Sequence, residues 1–204
     1  MSARPQPLDG PSEPFALAAR AAEQLAGRLG RDDHRLALWL GSGWQRALDE
    51  LNVTATTSTD ELAGFQPAGA MGHGSEAHSV RVDAPEGESL QALVFTGRTH
   101  LYEGHGPAAV AHGVRTAAAA GCTVAVLTNA AGCLRSGDAG ASDGGPDGAG
   151  AAWPIGSPVL ISDQLNLTGA SPLTGPLPPP PHPFPTVASP DSSRPPRRAQ
   201  AQTA

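Results

Sequence analysis

Phe15, Ala18, Ala22, Leu25 and Leu29 recur every three or four positions, the spacing of an amphipathic helix over Ser12 to Leu29. Ser12 stands at its N-cap and Pro14 in its first turn, places those residue types favour. The pattern then changes period. "RLALWL" (35–40) is a short apolar run that empties into "GSG", and "LQALVF" (90–95) is another run of that kind; both predict buried strands. "AHSVRV" (77–82) alternates as a half-buried strand does. "TVAVLT" (123–128) is rich in β-branched residues and opens onto "NAAG", while "SPVLIS" (157–162) is a further buried-type strand followed by "DQLNLTG". Pro107 to Ala120 is alanine-rich and predicts a helix that stops at Gly121. Thr54 to Gly74 is polar and glycine-rich, and predicts a mobile loop.

Strands alternating with helices predict an α/β fold around a largely parallel sheet. Ligands of such sheets bind beyond the carboxyl ends of the strands. Here "GSG", "GRTH", "NAAG" and "DQLNLTG" all fall at such ends, and that convergence carries more than any one motif. Two stretches break the pattern. Residues 137–152, "GDAGASDGGPDGAGAA", have low complexity and predict a flexible surface insertion. From Pro176 onward the chain holds ten of its 21 prolines and no glycine, which predicts a disordered or polyproline tail over 176–204. Residues 1–11 are expected to be a flexible N-terminus, which leaves 12–175 as the α/β domain.

Composition narrows the function classes. A net charge of −6 over 204 residues argues against a general nucleic-acid binder, which needs a basic face. All 13 basic residues are arginine, which points to a gene rich in G and C. Cys122 and Cys133 are too few for a disulfide framework and lack a metal-type spacing, so reduced thiols in the cytoplasm are expected. The N-terminus has no apolar signal core and no segment is apolar enough to span a membrane.

The chemistry concentrates in "GRTHLYEGH" (97–105), which packs Arg98, His100, Tyr102, Glu103 and His105 into nine residues. On an extended segment Arg98, His100 and Tyr102 share one face. Arginine grips anion oxygen pairs, and a histidine beside it adds a donor whose charge responds to the anion. A solvated loop with an Arg–Glu pair is the competing reading. The glycines of "GSG" around Ser42 allow close backbone approach to a ligand, and a helix beginning near Trp44 would favour an anion. A plain strand-to-helix turn fits that segment equally well, since it lacks both the third glycine of a dinucleotide fingerprint and the lysine of an NTPase loop. His73 with His78, or His100 with His105, lack the carboxylate clusters a metal site needs. Cys122 reads as a core residue.

Taken in order, "GSG", "GH" (72–73), "GRTHLYEGH", "VLTNAAGCL" and "VLISDQLNLTGASPLTGP" resemble the trimeric purine nucleoside phosphorylases. The resemblance covers residues 12 to 176 apart from the insertion. It implies a single α/β domain with a mixed, barrel-like central sheet flanked by helices, with the C-terminal part of that fold missing here, and a homotrimer. It also implies phosphate-dependent cleavage of the N-glycosidic bond of purine (deoxy)nucleosides, with inorganic phosphate as co-substrate and no cofactor or metal. Carried across residue by residue, Ser42, Arg98, His100 and the N–H of Ala130 would hold phosphate. Tyr102 would lie against the sugar, His73 would belong to a mobile loop, and Asn129 would support the strand-end turn. Arg98, His100 and Tyr102 are thus the expected catalytic set.

The departures are equally specific. Cys133 stands where the family has a second glycine after "NAAG", and "DQLN" replaces "DHIN". The family's purine-gripping carboxylate and amide lie C-terminal to "SPLTGP", where this sequence turns to proline, arginine, serine and alanine, the signature of G/C-rich DNA read out of frame. Two readings follow: an active phosphorylase whose sequence is altered at this end, or a catalytically inactive phosphorylase-like fragment that at most binds phosphate.

Overall fold

The computed structural model describes residues 13–41, 43–66, 75–83, 87–132, 155–161 and 163–174. Ser42, His73, Cys133, the 137–152 insertion, the 176–204 tail and residues 1–11 lie outside that set. Contacts divide the chain into two units, residues 1–130 with 168–186 and residues 131–167 with 187–204. All the regular structure described here belongs to the first.

That unit runs α1 (Glu13–Leu29), β1 (His34–Leu40), β2 (Asn52–Ser58), β3 (Glu76–Val82), β4 (Leu90–Thr96), α2 (Gly106–Val110), α3 (His112–Ala119) and β5 (Val124–Leu127). The strands form one sheet in the order β2-β3-β4-β1-β5. β4, β1 and β5 are parallel neighbours, whereas β2, β3 and β4 pair antiparallel. The sheet is therefore mixed rather than largely parallel. Each interior strand sends alternate side chains to opposite faces. Ala37 and Trp39 of β1, Ala77 of β3, and Leu93 and Phe95 of β4 join Ala21, Leu25 and Leu29 of α1 and Ala117 of α3 in one cluster. Leu40, Ala92, Val94 and Val80 face the other way, where Ala47 and Leu48 of a 3₁₀ turn over Gln45–Glu50 pack on them. Burial on both faces explains why β1 and β4 read as continuous apolar runs.

Three expectations need correction. The loop expected from Thr54 begins instead as β2, whose threonines are β-branched and so fit a pleated sheet without being apolar. Thr54 Oγ1 donates to the Ser79 carbonyl at 3.1 Å and Thr56 Oγ1 meets His78 Nδ1 at 2.9 Å, so hydroxyls help to hold this strand. The helix expected over Pro107 to Ala120 is two helices divided at Ala111, and the second stops before Gly121 as expected. Residues 157–161, expected as a strand, form none and are exposed. An apolar run becomes a strand only where a neighbour satisfies its backbone N–H and C=O groups, and no ladder partner for it occurs among the described residues.

β3 is also more buried than its alternation implies. Ala77, His78, Ser79 and Val80 are all inside, and the polar pair is satisfied locally. His78 Nε2 lies 3.3 Å from Thr96 Oγ1 and 3.7 Å from a Glu76 carboxylate oxygen, while Ser79 Oγ meets the buried His34 Nε2 at 2.9 Å.

Candidate active site

β1, β4 and β5 end side by side, and each empties into one of the small-residue turns singled out in the sequence. Gly41 follows β1, Gly97 follows β4 and Asn129 to Gly132 follow β5. Gly97 has φ +117°, a conformation open to glycine, and it turns the chain from β4 into the Arg98 loop. Gly41 lines the cleft and is also demanded by packing. A Cβ at Gly41 would stand 2.4 Å from the Thr128 carbonyl oxygen, so its missing side chain lets the ends of β1 and β5 close together.

Arg98, His100 and Tyr102 line a cleft of about 200 Å³ at this end of the sheet, with Gly41, Thr99 and Glu103 beside them. Its floor belongs to the core. Trp39 stacks on Phe95 with ring centres 4.9 Å apart and planes 9° from parallel, and Phe65 lies 6.3 Å beyond Phe95. His112 meets Phe65 edge-on at 4.9 Å. Its Nε2 lies 2.8 Å from the Ala63 carbonyl oxygen, which can only accept, so Nε2 carries the proton. Burial pulls the His112 pKa below its ordinary value, partly offset by that bond, which keeps the ring neutral beneath the cleft.

The polar rim is ordered by short local bonds. Arg98 Nη1 donates to the Thr128 carbonyl at 2.9 Å, using one of the guanidinium's five N–H groups. Glu103 accepts the His100 backbone N–H at 2.8 Å. The Arg–Glu pair expected of a solvated loop is therefore not formed: Arg98 reaches across to β5, and Glu103 closes the 3₁₀ turn over Leu101–Glu103. That turn also replaces the extended segment expected to align the three side chains. His100 and Tyr102 are nevertheless stacked, 4.8 Å apart at 14°, and Tyr102 is 83% exposed.

Ala130 and Asn129 stand exposed at the end of β5, and Ser42 and His73 lie outside the described residues. The bonds that fix this strand end come from Thr128, which sequence reading passed over. Its hydroxyl donates to the Trp39 carbonyl at 2.8 Å and accepts the Gly41 N–H at 2.9 Å. No local sequence signal marks it, because these partners lie more than eighty residues away. Trp44, where a helix was expected to begin, precedes a 3₁₀ turn, and its N–H is already bonded to the Gly41 carbonyl at 3.0 Å. Cys122 is buried and its thiol is pushed up to about 11 by desolvation, the state of an inert core thiol. His78, weighed with His73 as a metal ligand, is engaged by Thr56 and Thr96. Among the described residues no helix is long and apolar enough to cross a membrane.

No family model matches the chain. Sequence similarity to characterised proteins is nonetheless clear. A purine nucleoside phosphorylase of Cellulomonas sp is 44% identical over 172 residues, covering 83% of this chain and 56% of that protein. One from Mycobacterium tuberculosis is 44% identical over 164 residues, 80% of this chain and 54% of that protein. Purine nucleoside phosphorylase 1 of Bacillus subtilis is 29% identical over 142 residues, 70% and 45% of the two chains. Among solved structures, isoform 2 of the Schistosoma mansoni purine nucleoside phosphorylase, in complex with cytosine and ribose-1-phosphate, superposes with a TM-score of 0.49 at 23% identity, over 61% of this chain and 43% of that one. The chain spans about half the length of the curated relatives it matches, and over the residues they share it is similar in sequence to purine nucleoside phosphorylases.

Proposed function

We propose that this chain provides the phosphate- and sugar-facing part of a purine nucleoside phosphorylase site. The observation that carries the reading is Arg98, anchored by one N–H and lining the same cleft as His100 and Tyr102. Its remaining N–H groups suit a phosphate, which a guanidinium can bind through two parallel bonds. The 44% identity to purine nucleoside phosphorylases supports the choice of substrate class.

In this reading Ser42, Arg98, His100 and the N–H of Ala130 hold inorganic phosphate, the co-substrate, and no metal or cofactor takes part. Tyr102 lies against the ribose, His73 belongs to a loop over the site, and Asn129 supports the turn behind it. As the N-glycosidic bond lengthens, the electron pair leaves with the purine and the sugar gains positive charge at its anomeric carbon. The hydrogen phosphate anion stabilises that charge and bonds to the same carbon through one oxygen, while its proton ends on the purine nitrogen, giving free purine and (deoxy)ribose 1-phosphate. The protein's part is positioning and electrostatics, and the stacked His100–Tyr102 pair places the sugar-facing ring relative to the anion. Assembly as a homotrimer and residence in the cytoplasm complete the proposal.

Phosphorolysis of inosine by the purified 204-residue protein tests it. Hypoxanthine release that depends on phosphate is expected, and release that proceeds equally without phosphate would refute it. Saturable phosphate binding without turnover would instead favour the phosphate-binding, non-catalytic reading. Sedimentation of the same sample checks the trimer.

A further inference from the structure

Thr128 carries no charge, yet it makes four hydrogen bonds where β1, β4 and β5 end. Its N–H and its hydroxyl both donate to the Trp39 carbonyl, at 3.1 and 2.8 Å. The same hydroxyl accepts the Gly41 N–H, and its carbonyl accepts Arg98 Nη1. One residue on the β5 side thus grips the turn leaving β1 and the cation leaving β4. Gly41 leaves no slack in this arrangement, because nothing larger than hydrogen fits against the Thr128 carbonyl. The Gly41 carbonyl in turn accepts the Trp44 N–H, so what fixes Gly41 also bears on the start of the 3₁₀ turn after β1.

We propose that Thr128 is a positioning residue of the anion cradle. Its hydroxyl sets the Gly41 turn while its carbonyl sets the Arg98 guanidinium, and the two sides of the cradle keep one spacing. This rests on the phosphate-binding reading above. Valine has threonine's shape without the hydroxyl. In Thr128→Val the Trp39 carbonyl keeps the Thr128 position's N–H, but the Gly41 N–H loses its acceptor, a costly loss for a partly buried donor. Serine keeps the hydroxyl.

The test compares the unsubstituted chain with Thr128→Val and Thr128→Ser. Inorganic phosphate affinity is measured by titration calorimetry, and exchange of the Gly41 amide by NMR. Thr128→Val should weaken phosphate binding about tenfold, near 1.4 kcal/mol, and speed Gly41 exchange by a similar factor. Thr128→Ser should stay within about twofold of the unsubstituted chain on both measurements. Equal phosphate affinity in all three proteins, even with a lowered melting temperature, would overturn the proposal, because that is the mark of a purely structural residue. Equal losses in both variants would also overturn it, by assigning the effect to the methyl group. If Thr128→Val does not fold, Thr128→Ala removes the hydroxyl without new bulk and is read in the same way. Should the unsubstituted chain bind no phosphate, the phosphate reading fails by itself. Gly41 exchange then decides: faster exchange in Thr128→Val alone upholds the frame, and unchanged exchange removes it.

Discussion

β4 and β5 flank β1 on opposite sides and run parallel to it, but they live in different environments. β4 lies between β3 and β1, with five of its seven residues buried and side chains packed on both faces. β5 is four residues long, forms the sheet edge and is exposed throughout, with Val124, Val126 and Leu127 all open to solvent. In register, Phe95, Trp39 and Leu127 form one row across the three strands. The row is core at one end and surface at the other. A stiff arm thus brings Arg98, His100 and Tyr102 to the cleft, while a thin arm ends in the exposed Asn129 and Ala130, which do not line it. Burial holds the first arm; the ladder to β1 and the Thr128 hydrogen bonds to β1 and Arg98 hold the second.

Breaking the stiff arm should have the largest effect. Phe95→Ala removes a ring stacked on both Trp39 and Phe65 and should cost about 3–5 kcal/mol, read as a lower urea midpoint. Arg98→Ala probes the link between the arms. It should weaken phosphate binding about ten- to a hundredfold, corresponding to the ~1.5–3 kcal/mol of a hydrogen bond to a charged group. An unchanged phosphate isotherm would remove Arg98 from the site.

Mild acid should act through the buried side. His34, His78 and His112 are all buried, and desolvation holds each below its ordinary pKa. Near pH 6.5 and below, the unfolded chain takes up protons that the folded chain resists. Stability should thus fall as pH drops from about 6.5 through the lowered folded values, by at most about 1.4 kcal/mol per pH unit for each proton. Urea titrations at pH 7.5 and 5.5 check this, and a midpoint that rose on acidification would refute it. The smallest effect belongs to the thin arm. Leu127→Thr, on an exposed edge strand, should change stability by no more than about 0.5 kcal/mol and leave β5 in place.

The same contrast explains what the sequence made legible. β1 and β4 announce themselves as apolar runs because both faces of each are covered, and the turns after β1, β4 and β5 stand out because small residues follow apolar ones. "TVAVLT" reads much like "LQALVF", yet exposure depends on a strand's place in the sheet, and that order is set by distant pairings. β2 was hidden for the opposite reason, since its threonines carry strand propensity but no apolar signal. His34, His78 and His112 are polar letters whose burial depends on partners such as Ser79, Thr56 and Ala63 from other parts of the chain. Arg98, His100 and Tyr102 were legible as a cluster, but the bond from Arg98 to Thr128 was not. It exists only because β1 lies between the two strands.

The stacked Trp39–Phe95 floor has a consequence for how such a site can change. The rings that shape the bottom of the cleft also join α1 and α3 to the sheet, so pocket size and folding share one set of atoms. A substitution that deepens the cleft for a bulkier ligand draws on the same packing that keeps the chain folded. Adaptation to new ligands should therefore start at the rim, around Tyr102, where a side chain can be exchanged at little expense to the fold.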